Sequence, residues 1–264
     1  YKNKSLTTFS NSTAVGFSSY ASGTNSVAIG TSATSSDTDA IAIGNSVTAD
    51  GESSIAIGSH GEARNTLASG DGAISIGDGA VSKEHSVALG TNATANSAGG
   101  IAIGKSAEAS PKSGYSSFSD GVAIGTNARV EGTSCGWGPC SYTAGIAIGH
   151  DAYTMSSDGI VIGNSASAEC NSVSIGYNTT TERHSVAIGH EAKAIDKSVA
   201  IGYEACKDVT GSNVVCIGSG SGPTYDMDKS KDHMVYLGTS SDTVYIPGNL
   251  IVGKDTLLGA RAVN

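Results

Sequence analysis

The chain is 264 residues long with 36 Gly but only 3 Phe and 1 Trp, so it lacks the bulky side chains that fill one globular core of that size. Charged residues make up 15% of the chain and the formal net charge is −9, which disfavours phosphate backbones and anionic lipid, since an acidic surface repels both. Neither a nucleic-acid partner nor membrane insertion is expected, because nothing approaches the roughly 20 consecutive apolar residues that cross a bilayer.

Residues 1–11 read as a polar lead-in, Tyr1-Lys-Asn-Lys4 and onward, with no signal-peptide core, as in a mature product or a piece of something longer. From residue 12 to residue 218 one line recurs: a small residue, Val or Ile, a small residue, Ile or Leu, then Gly. It reads Ser26-Val-Ala-Ile-Gly30, Ala40-Ile-Ala-Ile-Gly44 and Ser54-Ile-Ala-Ile-Gly58, and returns with glycines from Gly77 to Gly218. Thr13-Ala-Val-Gly16 and Thr66-Leu-Ala-Ser-Gly70 look like degenerate copies. The spacing is nearly constant, as Gly16, Gly30, Gly44 and Gly58 show. Such a fixed period is the mark of a stacked repeat.

Each unit predicts two short strands. Alternation in the first sends both large residues to one side, and Gly lets the chain turn. A second segment follows, with an Ala shortly after the glycine in units such as Ala33, Ala80, Ala93 and Ala166. Polar Asn, Ser, Asp and Thr then return the chain to the next layer. Parallel stacking at about 4.8 Å makes a rod of roughly 60 Å from thirteen or so coils. Burying one Val and one Ile gains ~3–6 kcal/mol, whereas ordering about fourteen residues costs upwards of ~14 kcal/mol. A coil therefore folds only as part of the array.

The middle residue of the first strand is Ala in most units and never a large polar residue, as in Ala28, Ala102, Val161, Ser174, Ala187 and Cys216. A strand apolar on both sides is covered on both sides. The expectation is that Val and Ile fill the coil's own core while the small residues pack against a second chain.

Two consecutive intervals, Gly104 to Gly125 and Gly125 to Gly149, are much longer than the usual spacing of Gly30 to Gly44. They carry Tyr115, Phe118, Trp137 and Tyr142, the candidate ligand-binding residues, because exposed aromatics on loops of a rigid scaffold are common contact surfaces. The rival expectation is that these insertions cover a seam between chains. Five cysteines leave at least one free or paired between chains. Cys135 and Cys140 frame a tight Gly-Trp-Gly-Pro turn and are the first candidate disulfide; Cys206 and Cys216 are the second, leaving Cys170 unpaired. Such pairs suit an oxidising, extracellular setting.

Asn25-Ser-Val-Ala-Ile-Gly30 matches the repeat of YadA-like heads in full, and Asn171-Ser-Val-Ser-Ile-Gly176 and His184-Ser-Val-Ala-Ile-Gly189 each miss it at a single position. The chain over residues 12–218 resembles the heads of trimeric autotransporter adhesins. That resemblance implies an all-β fold, a left-handed parallel β-roll, three chains side by side as a homotrimer, and attachment to a host cell-surface protein or glycan. Residues 219–264 depart from the repeat. Gly218-Ser-Gly-Ser-Gly-Pro223 is a flexible break, and Tyr245-Ile-Pro-Gly-Asn-Leu-Ile-Val-Gly253 resembles the segment of viral tail fibres that precedes a self-cleaving intramolecular chaperone. An adhesin neck ending in Ala262-Val-Asn264 is the other reading. The location implied is outside the cell, on a virion or a bacterial outer membrane.

No enzyme is expected, and no cofactor or metal. His150 and His190 follow repeat glycines three coils apart, about 14 Å at strand spacing and too far to share a metal, which makes them solvated corner residues. No nucleophile elbow, zinc-protease motif or phosphate loop is present. A polysaccharide-degrading β-solenoid is the enzyme alternative, but aromatics are only 5% of the chain. An ice-binding ladder would need Thr after every glycine, and Thr31, Thr91 and Thr126 are interrupted by Asn45, Ser59, Asp78, Lys105 and His150.

Overall fold

The computed structural model describes residues 6–7, 11–60, 64–111, 120–133, 145–156, 158–223 and 229–247. These residues form two parallel sheets and no helix. One sheet has 15 strands, most of them spanning three positions, such as Val27–Ile29 and Val87–Leu89; the other has 13 strands, most of them spanning two, such as Thr34–Ser35 and Thr48–Ala49. The chain alternates between them up to Val199–Ile201, so each coil as far as that strand contributes one rung to each sheet. Every repeat strand pairs with its counterpart one coil on, as Val27↔Ile41, Ala28↔Ala42 and Ile29↔Ile43. The expected parallel solenoid is what forms.

The repeat glycines form a column that admits no other residue. Gly189 has φ +137°, and a Cβ there would stand 2.2 Å from the carbonyl oxygen of Gly202. Two further corners per coil take left-handed backbone with ordinary residues. One is the second residue after the glycine; the other precedes the small residue that leads into the long strand. Ser32 (φ 54°) and Asp39 (φ 57°) are one such pair, and Asn178 (φ 51°) and His184 (φ 57°) another. Asn and Asp suit these corners because their short polar side chains tolerate that conformation. They also bond along the rod: Asn25 Nδ2 donates to Asp39 Oδ1 at 3.0 Å, and Asn127 Nδ2 to Asp151 Oδ1 at 3.0 Å.

The assignment of faces is the reverse of the expectation. Ala28, Ala42, Ala102, Ala187 and the other small middle residues are fully buried within their own coil, beside Ala33, Ala93 and Ala192 from the opposite wall. Val and Ile do share one side, but it is the outer one: Ile188 is 37% exposed and Ile217 44%. The reason is the width of the coil. Ser75 Oγ and Ser82 Oγ, from opposite sheets, lie 2.7 Å apart across the interior, and Ser174 Oγ donates to Thr179 Oγ1 at 2.7 Å. Side chains one heavy atom beyond Cβ already meet in the middle, so Ile on both walls would not fit.

Two details at the margins of the repeat also differ. Leu67–Ala68, read as a degenerate long strand, belongs instead to the short-strand sheet, between Thr48–Ala49 and Val81–Ser82. The stretch from Gly58 to Gly77 is one enlarged coil, and Arg64 within it donates to the carbonyls of Gly79 (2.8 Å) and Asn92 (3.0 Å) and to Thr94 Oγ1. The long-strand sheet also runs past Gly218, since Val235–Leu237 pairs with Val215–Ile217.

In the coil after Gly202 no short strand forms among the described residues, and a turn takes its place. Cys216, at the buried middle position, is joined to Cys206 in that turn, Cα to Cα 5.6 Å. The disulfide spans the interior where two alanines meet elsewhere. The Cys206→Ser, Cys216→Ser double variant should lose about 2–3 kcal/mol locally, the scale for a loop of this size. Limited proteolysis should then cut first between residues 203 and 215; a cleavage pattern like that of the unaltered protein would count against a structural staple.

Candidate functional site

Among the described residues the long-strand sheet presents an outer column of Val and Ile that is half-buried along much of its length, with Ile29, Ile76, Ile162, Ile188, Ile201 and Ile217 exposed. Isolated apolar side chains are ordinary on a surface, but a continuous column of this length marks an interaction face.

Along one edge of that column runs the position directly after each repeat glycine. The backbone superposes these positions from coil to coil. Asn178 N donates to Asn164 O (2.9 Å), Glu191 N to Tyr177 O (2.8 Å), Glu204 N to His190 O (2.8 Å) and Gly220 N to Tyr203 O (2.7 Å). In earlier coils the position holds mostly polar residues such as Thr31, Asp78, Thr91 and Lys105, with Phe17 and His150 as isolated rings, but here three consecutive coils supply rings. Tyr177 stacks on His190 with centroids 4.9 Å apart and planes 23° apart, and His190 on Tyr203 at 5.1 Å and 14°. His190 is thus not a solitary solvated corner but the middle of an aromatic stack. Three glycines each followed by a ring were the signal available in the sequence.

Charged groups flank the stack. Lys207 Nζ lies 2.7 Å from Glu204 Oε1 and 2.8 Å from Glu191 Oε2. Its hydrogen bonds to Glu191 and Glu204 hold the ammonium well above its ordinary range, and the same Lys207 contact pulls the Glu191 carboxyl down. Lys229 Nζ is 3.1 Å from Asp208 Oδ2. A shallow cleft of about 110 Å³ opens beside these residues, lined by Glu204, Lys207, Asp208, Gly220, Ser221 and Pro223 among others.

A second polar cluster sits on the short-strand sheet where the two long intervals leave it. Arg129 pairs with Glu108 (3.2 Å) and with Glu131, and lies 5.9 Å from the centroid of Tyr153. Tyr153 donates to Glu131 Oε2 at 2.7 Å; burial and that hydrogen bond push its phenol up to about 12. All four groups satisfy one another.

The sequence-predicted residues Tyr115, Phe118, Trp137 and Tyr142, and the cysteines Cys135 and Cys140, lie outside the described residues. Cys170, expected to be unpaired, is disulfide-bonded. Since Cys206 and Cys216 bond each other, peptide mapping without reduction should recover that link and a second link containing Cys170. Recovery of Cys170 as a free thiol would refute this. His150 contacts its own neighbour Asp151, Nδ1 to Oδ2 2.8 Å. Among the described residues no group of three His, Cys, Asp or Glu is placed to hold a metal ion, and no helix is long and apolar enough to cross a membrane.

A parallel solenoid with a packed small-residue interior and a partly exposed apolar outer column is a repeat protein. Comparison with known families agrees on the repeat. The YadA head domain repeat (2 copies) matches residues 10–33, 21–46, 35–60, 64–81, 82–107 and 181–205. The chain carries YadA head domain repeats, the building unit of adhesin heads and not of an enzyme family. None of the curated proteins matches it.

Proposed function

We propose that this chain is the head of a homotrimeric attachment protein that binds a host cell-surface protein or glycan from outside the cell. It would work either at the tip of a viral tail fibre or on a bacterial outer membrane. The observation that carries the reading is the partly exposed Val/Ile column on a chain of YadA head domain repeats. Such a column is stable in water when other copies cover it. Three chains arranged about one axis would bury it and leave the short-strand sheets facing solvent.

Within this reading the intervals Gly104 to Gly125 and Gly125 to Gly149 carry the contact surface through Tyr115, Phe118, Trp137 and Tyr142. The Tyr115→Ala, Trp137→Ala double variant is expected to lose about tenfold or more in cell binding, as aromatic hot spots do, with an unchanged melting temperature. A large fall in melting temperature would instead assign these loops to the seam between chains.

A further inference from the structure

We infer that the stack Tyr177–His190–Tyr203 ends in a saccharide subsite on the outer face of Tyr203, a site for one neutral pyranose unit. The proposal rests on the attachment reading and names a ligand class for it, at a place separate from the long insertions.

His190 has both ring faces occupied, one by Tyr177 and one by Tyr203. The outer face of Tyr203 looks along the rod to the next position of the same ladder, which is Ser219. A hydroxymethyl group cannot cover a phenol ring, and Tyr203 is 51% exposed. The result is a flat apolar surface held in place from behind by two further rings and by the coil register. Rigid aromatic surface of this kind binds planar or flat-faced ligands with little ordering cost.

The surroundings choose among such ligands. Glu191 and Glu204, the residues that follow His190 and Tyr203 in the chain, share the ammonium of Lys207, and Asp208 is paired with Lys229, so these charges are matched. Carboxylates already matched by ammonium groups give a cationic ligand little Coulomb energy, yet they keep lone pairs that accept from hydroxyls. A nucleobase could stack on the ring, but its phosphate backbone is opposed by the −9 charge of the chain. A ring with an apolar C–H face and a rim of hydroxyl donors fits both features.

The test uses the full chain in its assembled state, with neutral oligosaccharides of glucose, galactose and N-acetylglucosamine as probes and saturation-transfer NMR as readout. Two variants act in opposite ways: Tyr203→Ser removes the platform, and Ser219→Tyr covers it by extending the stack. Both are expected to lower saccharide affinity by about tenfold or more, the scale of one lost stacking contact, and Ser219→Tyr should do so with no loss of thermal stability. Saccharide binding that persists in both variants would overturn the subsite. So would an unaltered protein that attaches to cells but gives no transfer from any probe, an outcome that leaves the attachment reading standing. Failure to attach to any cell or surface at all would instead sink that reading and the subsite with it.

Discussion

Gly189→Val is expected to be the most damaging single change in the rod, lowering stability by about 3–5 kcal/mol. Two effects add. A φ of +137° is a region that residues with a Cβ scarcely visit, and the new Cβ would overlap the Gly202 carbonyl 2.2 Å away. That oxygen is backbone and cannot rotate aside, so two coils must separate. In an array held by nearest neighbours, a weakened interface splits one cooperative unit into two. Calorimetry should therefore show the main transition shifted down by roughly 10 °C, on the scale for chains of this size, and resolved into two. Lys197→Gly is the contrasting control. Lys197 holds φ 59° with a full side chain, so glycine there relieves backbone strain and should change stability by no more than about 1 kcal/mol. Equal melting of the two variants would show that the glycine column is not the hinge of the fold.

Neighbouring residues on one strand should respond in opposite ways to polar substitution. Ala187 faces the coil interior, where Ser75 and Ser174 occupy the same position in other coils, so Ala187→Ser should be tolerated within about 1 kcal/mol and leave assembly intact. Ile188 and Ile201 face outward in adjacent coils. The Ile188→Asp, Ile201→Asp double variant would bring carboxylates from three chains onto the proposed axis without partners. An unpaired buried charge typically costs about 3–5 kcal/mol, which corresponds to a loss of roughly 100-fold or more in association. Sedimentation of the variant should show chain-mass species at concentrations where the unaltered protein stays assembled. If Ala187→Ser dissociates and the Ile pair does not, the coil interior and the outer column have been assigned the wrong way round.

The solenoid was legible because its two strongest constraints are local. A glycine recurring once per coil marks a backbone position closed to other residues, and period-two alternation places Val and Ile together on one side. Which side that is was not legible. Alternation says only that Ala187 and Ile188 point oppositely, and the inside of a coil is defined by the distance to the other wall, a tertiary quantity. A residue's size suggests that the larger one is buried, which is sound for wide cores and fails where hydroxyls from opposite sheets touch. Leu67–Ala68 was misplaced for a related reason, since a Leu-Ala pair fits either sheet and only the enlarged coil around Arg64 decides. The aromatic stack was present in the sequence as Tyr177, His190 and Tyr203, each after a repeat glycine. It emerges only when those positions are compared between coils rather than one residue at a time. Pairing of Cys206 with Cys216 followed from their spacing, but the bond at Cys170 could not, because its coil looks ordinary.

The ladder has a mechanical consequence. Its hydrogen bonds, such as Gly30 N to Val15 O at 2.7 Å and Gly202 N to Ile188 O at 2.8 Å, run from coil to coil and so lie along the rod. Tension applied end to end pulls on them lengthwise and loads one rung at a time, like opening a zipper, whereas tension across the rod would load many rungs together. A lone solenoid of this design yields at small pulling force. Neighbouring copies seated on the Val/Ile column would share the load and bridge any rung that opens, and the Cys206–Cys216 bond fixes one coil that would otherwise have a wall missing. Under the proposed attachment role, side-by-side chains would therefore be a source of tensile strength as well as a cover for apolar surface.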